Sequence, residues 1–202
     1  QAAVELDPFG AEGDDNATAY AADAVALDDR GMLFAYSSAD SSVLRYDIES
    51  DEVRGRDDLE ADVASPVISA AGDTWVLVDA EAGRVWIRGG DPVDIETGDQ
   101  VVVGDADAGA RAVYVADDQS LWTIPTDGSA PRREMGGGGN VLGQPARPVW
   151  HQGIAYAAWL LPGEARGTLW RSDQGETDLE YGGATMPDQR RPVFVATVHA
   201  VI

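Results

Sequence analysis

Short apolar runs, rich in Val, Ile and aromatic residues, alternate along the chain with clusters of Gly, Asp, Ser and Pro. Within several runs, apolar and polar side chains alternate. Leu44, Tyr46 and Ile48 are predicted to share one face of a strand, since successive side chains in a β-strand point to opposite sides. Arg45 and Asp47 then share the other face. No long stretch has the 3.6-residue period of an amphipathic helix, so the pattern predicts an all-β chain.

The predicted strands recur in four similar units, each with three recognisable strands separated by short turns. When the third strands are aligned, one position is held by Leu44, Trp86, Trp122 and Trp170. These residues lie 42, 36 and 48 positions apart, with a mean period of 42. Blades of four antiparallel strands recur at about 40 to 50 residues, so the spacing predicts a β-propeller. We expect the three tryptophans to fill the wedges between neighbouring blades.

The repeat divides the chain into six predicted parts. Residues 1–23 form an outer strand or linker, blades occupy 24–63, 64–99, 100–140 and 141–187, and residues 188–202 begin a further blade. The last part is predicted because residues 191–195 (RPVFV) repeat the pattern of residues 147–150 (RPVW). With about four and a half repeats, we expect an incomplete propeller: a fragment of a longer protein, or a ring that another chain completes. The glycine-rich segment 136–140 is expected to be a flexible loop between blades.

The net charge of the chain excludes some classes of binding partner. The chain has 36 acidic and 14 basic residues, all of the basic ones Arg, and its net charge is -22. Such a charge repels nucleic-acid phosphates and anionic lipid head groups, so no nucleic acid is expected to bind. No apolar run of about 18 residues is present, and we expect no direct membrane contact in this segment. The absence of Cys excludes disulfides and thiolate metal sites.

Acidic residues are the only abundant candidates for metal binding. Asp28-Asp29, Asp57-Asp58, Asp105 with Asp107, and Asp117-Asp118 present several oxygen atoms close together, as calcium loops do. The segment that begins at Asp105 lacks the terminal Glu of such a loop. Because Asp also accepts hydrogen bonds from its own backbone in tight turns, we interpret these residues as turn residues. Neither a metal ion nor a cofactor is therefore predicted.

Catalytic signatures are sparse. The two histidines, His151 and His199, have no metal-ligand spacing, and no serine lies in a Gly-x-Ser-x-Gly elbow. Residues 69–75 partly resemble the Asp-box of sialidase-like propellers, but the order of residues differs. An enzyme of that class also needs a Tyr nucleophile and three converging arginines, for which Arg111, Arg147 and Arg191 stand at equivalent places. No catalytic residue is assigned.

The amino-acid sequences of the repeated units resemble those of a known family. The segments GMLFAYS (31–37), DTWVLVD (73–79), GRVW (83–86) and GIAYAAW (153–159) resemble the N-terminal extracellular propeller region of actinobacterial fibronectin type III or Ig-like repeat surface proteins. This resemblance implies a secreted or membrane-anchored protein, anchored through a segment outside this chain, with β-sandwich modules following the propeller.

Two functions remain open from the sequence. The leading hypothesis is a non-catalytic extracellular interaction scaffold that binds an unknown protein or glycan through loops at one face, particularly residues 160–167. The alternative is a sugar-acting propeller enzyme, either a sialidase-like hydrolase or a lyase. The enzyme predicts Arg, Tyr and carboxylate side chains converging at the channel mouth, whereas the scaffold predicts dispersed polar residues there.

Overall fold

The computed structural model describes residues 20–71, 74–104, 112–136, 141–151, 154–160, 167–173 and 176–178. Every regular element in these ranges is a β-strand, and the strands form four separate antiparallel sheets. The first three sheets are meanders in which strands that follow one another in sequence are hydrogen-bonded neighbours, as short turns favour, and the fourth differs only in its first strand. The prediction of an all-β chain built from four-stranded blades is confirmed.

The first two sheets, here blades 1 and 2, each contain four strands. Blade 1 consists of β1 (Ala24–Leu27), β2 (Met32–Ser37), β3 (Ser42–Asp47) and β4 (Glu52–Asp58). Blade 2 consists of β5 (Pro66–Ala71), β6 (Thr74–Asp79), β7 (Arg84–Ile87) and β8 (Val93–Asp94). The aligned positions Leu44 and Trp86 lie on the third strand of their blades, paired with Ala35 and Leu77.

The next two sheets are blades 3 and 4. Blade 3 consists of β9 (Val102–Val103), β10 (Ala112–Ala116), β11 (Ser120–Pro125) and β12 (Arg132–Gly136). Blade 4 consists of β13 (Gln144–Pro145), β14 (Val149–His151), β15 (Ile154–Leu160), β16 (Gly167–Asp173) and β17 (Glu176–Asp178). Both β13 and β14 pair with β15, so the first strand of blade 4 is in two pieces. The break includes Pro148, which has no backbone N–H for a ladder.

Two local expectations need correction. Ile48 does not share the buried face of β3, because the strand ends at Asp47 and Ile48 is 49% exposed in the following turn. There its backbone N–H donates to the carbonyl of Gly31. Gly136 is not part of a loop: it is the last residue of β12 and pairs with Ser120, while residues 137–140 lie outside the described ranges.

Among the described residues the core consists of three apolar clusters, one between each pair of neighbouring blades. Phe34, Tyr36 and Val43 of blade 1 pack against blade 2, and Val76 and Val78 on the opposite face of blade 2 pack against blade 3. Blade 3 in turn packs its other face against blade 4. Blades 2 and 3 therefore bury both faces, which is how a propeller removes apolar sheet surface from water.

The wedge aromatics are only partly the predicted ones. Trp86 is buried between blades 1 and 2, and Trp122 packs against the cluster between blades 2 and 3 while keeping part of its surface exposed. For Trp170, in β16, only the backbone is described. The largest fully buried side chains are instead Trp75 and Trp159, on the second strands of blades 2 and 4. Wide side chains from two strand positions thus fill the wedges.

Candidate functional site at the propeller axis

The first strands of the blades surround a cavity of about 340 Å3. Strands β1, β5 and β9 are each the first of their blade, and the segment before β14 belongs to the first strand of blade 4. First strands converge on the axis of a propeller, so this cavity marks the central channel. Its lining consists of Ala24, Val25, Pro66, Val67, Ile68, Val101, Val102, Val103 and Arg147.

The side chains that line the cavity are apolar except for one charged residue. Its walls are aliphatic, and Arg147 is the single ionised side chain in the described lining. The Nε–H of Arg147 donates to the carbonyl oxygen of Val103 at 2.9 Å, which holds an exposed guanidinium from blade 4 over the edge of blade 3. An apolar wall with one orienting polar group is typical of a binding site. The described lining contains neither Tyr nor a carboxylate, so it offers no general acid or base.

The three arginines that the enzyme hypothesis requires are not brought together in the described residues. Arg147 lies at the cavity, whereas Arg111 and Arg191 lie outside the described ranges. Of the histidines, His151 ends β14 and is described only by its backbone, and His199 is outside the ranges.

The partial Asp-box contributes to blade contacts instead. The hydroxyl of Ser69 is buried and donates to the carbonyl of Gly104 at 2.5 Å, joining β5 to the end of β9. The indole Nε1 of Trp75 donates to Asp57 of blade 1 at 2.8 Å. Both side chains thus make contacts between blades, and neither is part of the cavity lining.

Several conspicuous carboxylates are turn residues. Asp28 Oδ1 accepts the backbone N–H groups of Arg30 and Met32, at 2.9 and 2.6 Å. Asp117 is buried and accepts N–H groups from Gln119 and Ser120 in the same way. Among the described residues there is no cluster of three or more possible metal ligands. Asp105 and Asp107 lie outside the described ranges.

A second buried carboxylate, Asp79, was not singled out from the sequence. It is 3% exposed and accepts backbone N–H groups from Ala64, Ser65, Glu81 and Ala82, at 3.0 to 3.3 Å. Burial alone would raise the pKa of this carboxyl, but the four hydrogen bonds favour the ionised form and the pKa is lower than usual. Its signal in the sequence is an Asp at the end of a buried strand, where Asp117 also lies.

The buried Tyr114 does not fit the role of a nucleophile. Tyr114 lies in the cluster between blades 3 and 4, away from the cavity lining. Burial, assisted by the nearby negative charge of Glu134, raises the pKa of Tyr114 to about 12. Its hydroxyl therefore stays protonated at neutral pH.

A second cavity of about 330 Å3 lies between the β7–β8 and β11–β12 turns. It is lined by residues of blade 2 (Ile87, Arg88, Gly89, Gly90, Asp91, Val93) and of blade 3 (Thr126, Asp127, Gly128). Its lining contains more charged and hydroxyl side chains than that of the channel cavity, and turns of this kind form the surface that propellers use for binding.

No family model and no curated protein matches the chain. Several solved structures are similar to it. A catalytically inactive virginiamycin B lyase from Staphylococcus aureus with quinupristin is 12% identical, with a TM-score of 0.56 over 88% of this chain and 60% of that one. A streptogramin B lyase is 10% identical, with a TM-score of 0.55 over 85% and 57%. The RRP9 WD40 repeats are 15% identical, with a TM-score of 0.50 over 78% and 52%.

The chain has a β-propeller fold. At these identities the likeness concerns the fold of the propeller alone, and this chain spans three fifths or less of the length of the three solved chains. Within the part of the propeller that the structure describes, there is no helix of the length and apolar character needed to span a membrane.

Proposed function

We propose that this propeller is a non-catalytic interaction scaffold within a larger secreted or cell-surface protein, and that its channel-side cavity contacts a protein or glycan. The observation that carries the proposal is the chemistry of the described cavity lining: eight apolar residues and Arg147, with no acid, base or nucleophile beside it. A catalytic site of the glycosidase type needs a pair of such groups facing the substrate.

The polar residues that the sequence offered as candidates for catalysis or metal binding support the same conclusion. Ser69, Trp75, Asp57 and Asp117 are engaged in contacts between blades or within turns. Side chains held in this way stabilise a rigid disc, and a rigid disc presents its turns in a fixed arrangement. The extracellular setting rests on the resemblance of residues 31–37, 73–79, 83–86 and 153–159 to actinobacterial surface propellers.

A lyase is the second candidate, because two of the similar solved structures are described as lyases. It requires reactive side chains at the axis, and those would have to come from residues outside the described ranges, such as 105–111 or 179–202. The two candidates differ in one measurable property, which is turnover.

The test combines turnover with binding. The full chain is assayed against fluorogenic glycosides, including a sialoside and a uronide, and is applied to a glycan array and to an array of extracellular proteins. We expect no turnover and saturable binding on one array. Binding should fall at least tenfold in Val102→Asp, which charges the cavity wall, and stay unchanged in Val141→Asp, an exposed valine outside the cavity. Turnover would establish the enzyme instead, and folded protein that is silent on both arrays would refute the scaffold.

A further inference from the structure

The backbone of Arg147 is fixed on both sides. The N–H of Ala146 donates to the carbonyl oxygen of Ala158 at 2.8 Å, which ties the segment to β15 of its own blade. On the other side, Pro148 lies so close to blade 3 that a Cβ built on Gly104 would come within 2.8 Å of its carbonyl oxygen. Pro148 also has a restricted φ. Arg147 therefore projects from a backbone that is held between blades 3 and 4.

The guanidinium of Arg147 is held as well, and the residue remains exposed at the cavity. Its Nε–H donates to the carbonyl oxygen of Val103 at 2.9 Å. A guanidinium has five N–H donors in a planar fork, so one donor can anchor the group while others bind a carboxylate in a charge-assisted pair. Because the side chain is positioned in advance, binding costs less conformational entropy.

The side chains around Arg147 favour an aliphatic ligand over a sugar. The other eight residues of the described cavity lining are Ala, Pro, Ile and five Val. This lining contains no aromatic ring on which a sugar could stack, and no side-chain carboxylate or amide that could accept hydrogen bonds from its hydroxyls. Hydroxyls placed against aliphatic side chains lose water without gaining a side-chain partner, whereas aliphatic groups gain from the same burial. Of a protein and a glycan, the described lining favours the protein.

We propose that this cavity binds the C-terminal residue of a partner protein, where that residue is Val, Ile or Leu. The inference rests on the proposed function and names its ligand. Arg147 contacts the backbone of Val103, a residue of the cavity wall, so the positive charge and the aliphatic wall lie within the span of one residue. A C-terminal aliphatic residue carries a carboxylate and an apolar side chain on the same Cα. An internal Asp or Glu does not, because the side chains next to it in an extended chain point to the opposite face.

The charge of the chain and the size of the cavity support a chain terminus. A net charge of -22 repels a segment that carries several carboxylates, whereas a C-terminal residue brings one negative charge to the one cation of the described lining. The volume of about 340 Å3 lies at the lower end of the roughly 300–1,000 Å3 found for ligand pockets. A cavity of this size accommodates the end of a chain rather than a folded loop.

The test measures how binding depends on the terminal carboxylate. Fluorescein-labelled peptides of mixed sequence that end in Val, Ile or Leu are prepared with a free C-terminal carboxylate and as C-terminal amides. A third set of amides carries Asp before the last residue. Binding to the full chain is measured by fluorescence anisotropy. We expect the free acids to bind at least tenfold more tightly than either set of amides, since only they place a carboxylate and an aliphatic side chain together at Arg147.

Three variants assign the preference to the cavity. Arg147→Gln should weaken binding of the free acids to the level of the amides, and Val102→Asp, which charges the wall, should weaken binding of both forms. Arg54→Gln is the matched control: it removes the same charge from β4, the outermost strand of blade 1, and should leave the preference unchanged. Because Arg147 is exposed, the preference should also decrease as salt is added.

Equal binding of acids and amides would overturn the inference, and so would a preference that survives Arg147→Gln. Amides with Asp that bind as tightly as the free acids would assign the carboxylate to a side chain instead of a terminus, which also overturns it. If no peptide binds while an array ligand still binds in a manner that Val102→Asp abolishes, the inference fails and the scaffold function stands. If folded protein binds neither peptides nor array ligands, both fail.

Discussion

The indole Nε1 of Trp75 donates a 2.8 Å hydrogen bond to Oδ2 of Asp57, across the interface between blades 1 and 2. The same oxygen lies 3.2 Å from Nε of Arg45 in blade 1 and 3.3 Å from Nε of Arg88 in blade 2. One carboxylate of the outer strand β4 therefore joins groups from both blades. It satisfies the one polar atom of a tryptophan side chain that is otherwise buried in apolar surroundings.

Replacing Asp57 by Ala is expected to lower the free energy of unfolding by about 1–3 kcal/mol, because it leaves the indole N–H without its acceptor and two partly buried guanidinium groups without this ion-pair partner. The neighbouring Asp58 provides the control. Its side chain is 80% exposed and pairs only at the surface with Arg56, so Asp58→Ala should cost less than about 1 kcal/mol. Urea unfolding of both variants measures the difference, and equal losses would mean that Asp57 has no special role.

Asp79 should make stability depend on pH. Its folded-state pKa is lower than the ordinary value of 3.8, because four backbone N–H groups outweigh the effect of burial. The sign follows from linkage: the contribution is present when the pH is above the unfolded value, and it is lost as the pH falls through the folded-state pKa. Asp79→Asn should therefore be less stable at pH 7 and lose less additional stability on acidification. Urea unfolding measured between pH 7 and pH 3 tests this, and parallel curves for parent and variant would contradict it.

Tyr114 should make the stability of the fold depend on pH in the alkaline range. Because its pKa is raised to about 12 by burial and by Glu134, the folded protein keeps a proton that the unfolded chain loses near 10. The stability that this proton provides is complete below pH 10 and is lost as the pH rises from 10 to 12. Tyr114→Phe should reduce that loss. Unfolding midpoints at pH 9 and pH 11.5 give the comparison, with identical shifts in parent and variant as the refuting result.

The repeat was predictable from sequence because strand order and turn chemistry are local. The period of Leu44, Trp86 and Trp122 places them at register-equivalent positions of the third strands, as the pairing shows. Ile48 was assigned wrongly because alternation alone does not indicate where a strand ends. In the structure, the N–H of Ile48 donates to the carbonyl of Gly31, and this contact forms only when β1 and β2 are in place.

Contacts between blades were not predictable in the same way. Nothing local distinguishes Asp57 from Asp58, yet one faces a tryptophan of the next blade and the other faces solvent. The same holds for the candidate site: Arg147 was a candidate from its position before a strand, but its placement at an apolar cavity follows from the convergence of four first strands. Such convergence is set by how sheets pack, which a repeat period does not encode.

Gly83 lies close to the backbone of Ile95, the residue after β8. It has a φ of +64°, and a Cβ built there would collide with the backbone carbonyl oxygen of Ile95, whose N–H donates to Gly83. Gly89 has a similar φ of +77°, with open space around a built Cβ. Ala at either position therefore carries the left-handed backbone cost of about 1–2 kcal/mol.

Only Gly83→Ala also requires the backbone at Ile95 to move, and a rigid interior resists such displacement. We expect Gly83→Ala to be less stable than Gly89→Ala by at least about 1 kcal/mol, within the usual range for overpacking. Thermal and urea unfolding of the two variants against the parent measure this difference. A Gly89→Ala variant as unstable as Gly83→Ala would show that backbone conformation accounts for the whole effect and that the approach of Ile95 contributes nothing.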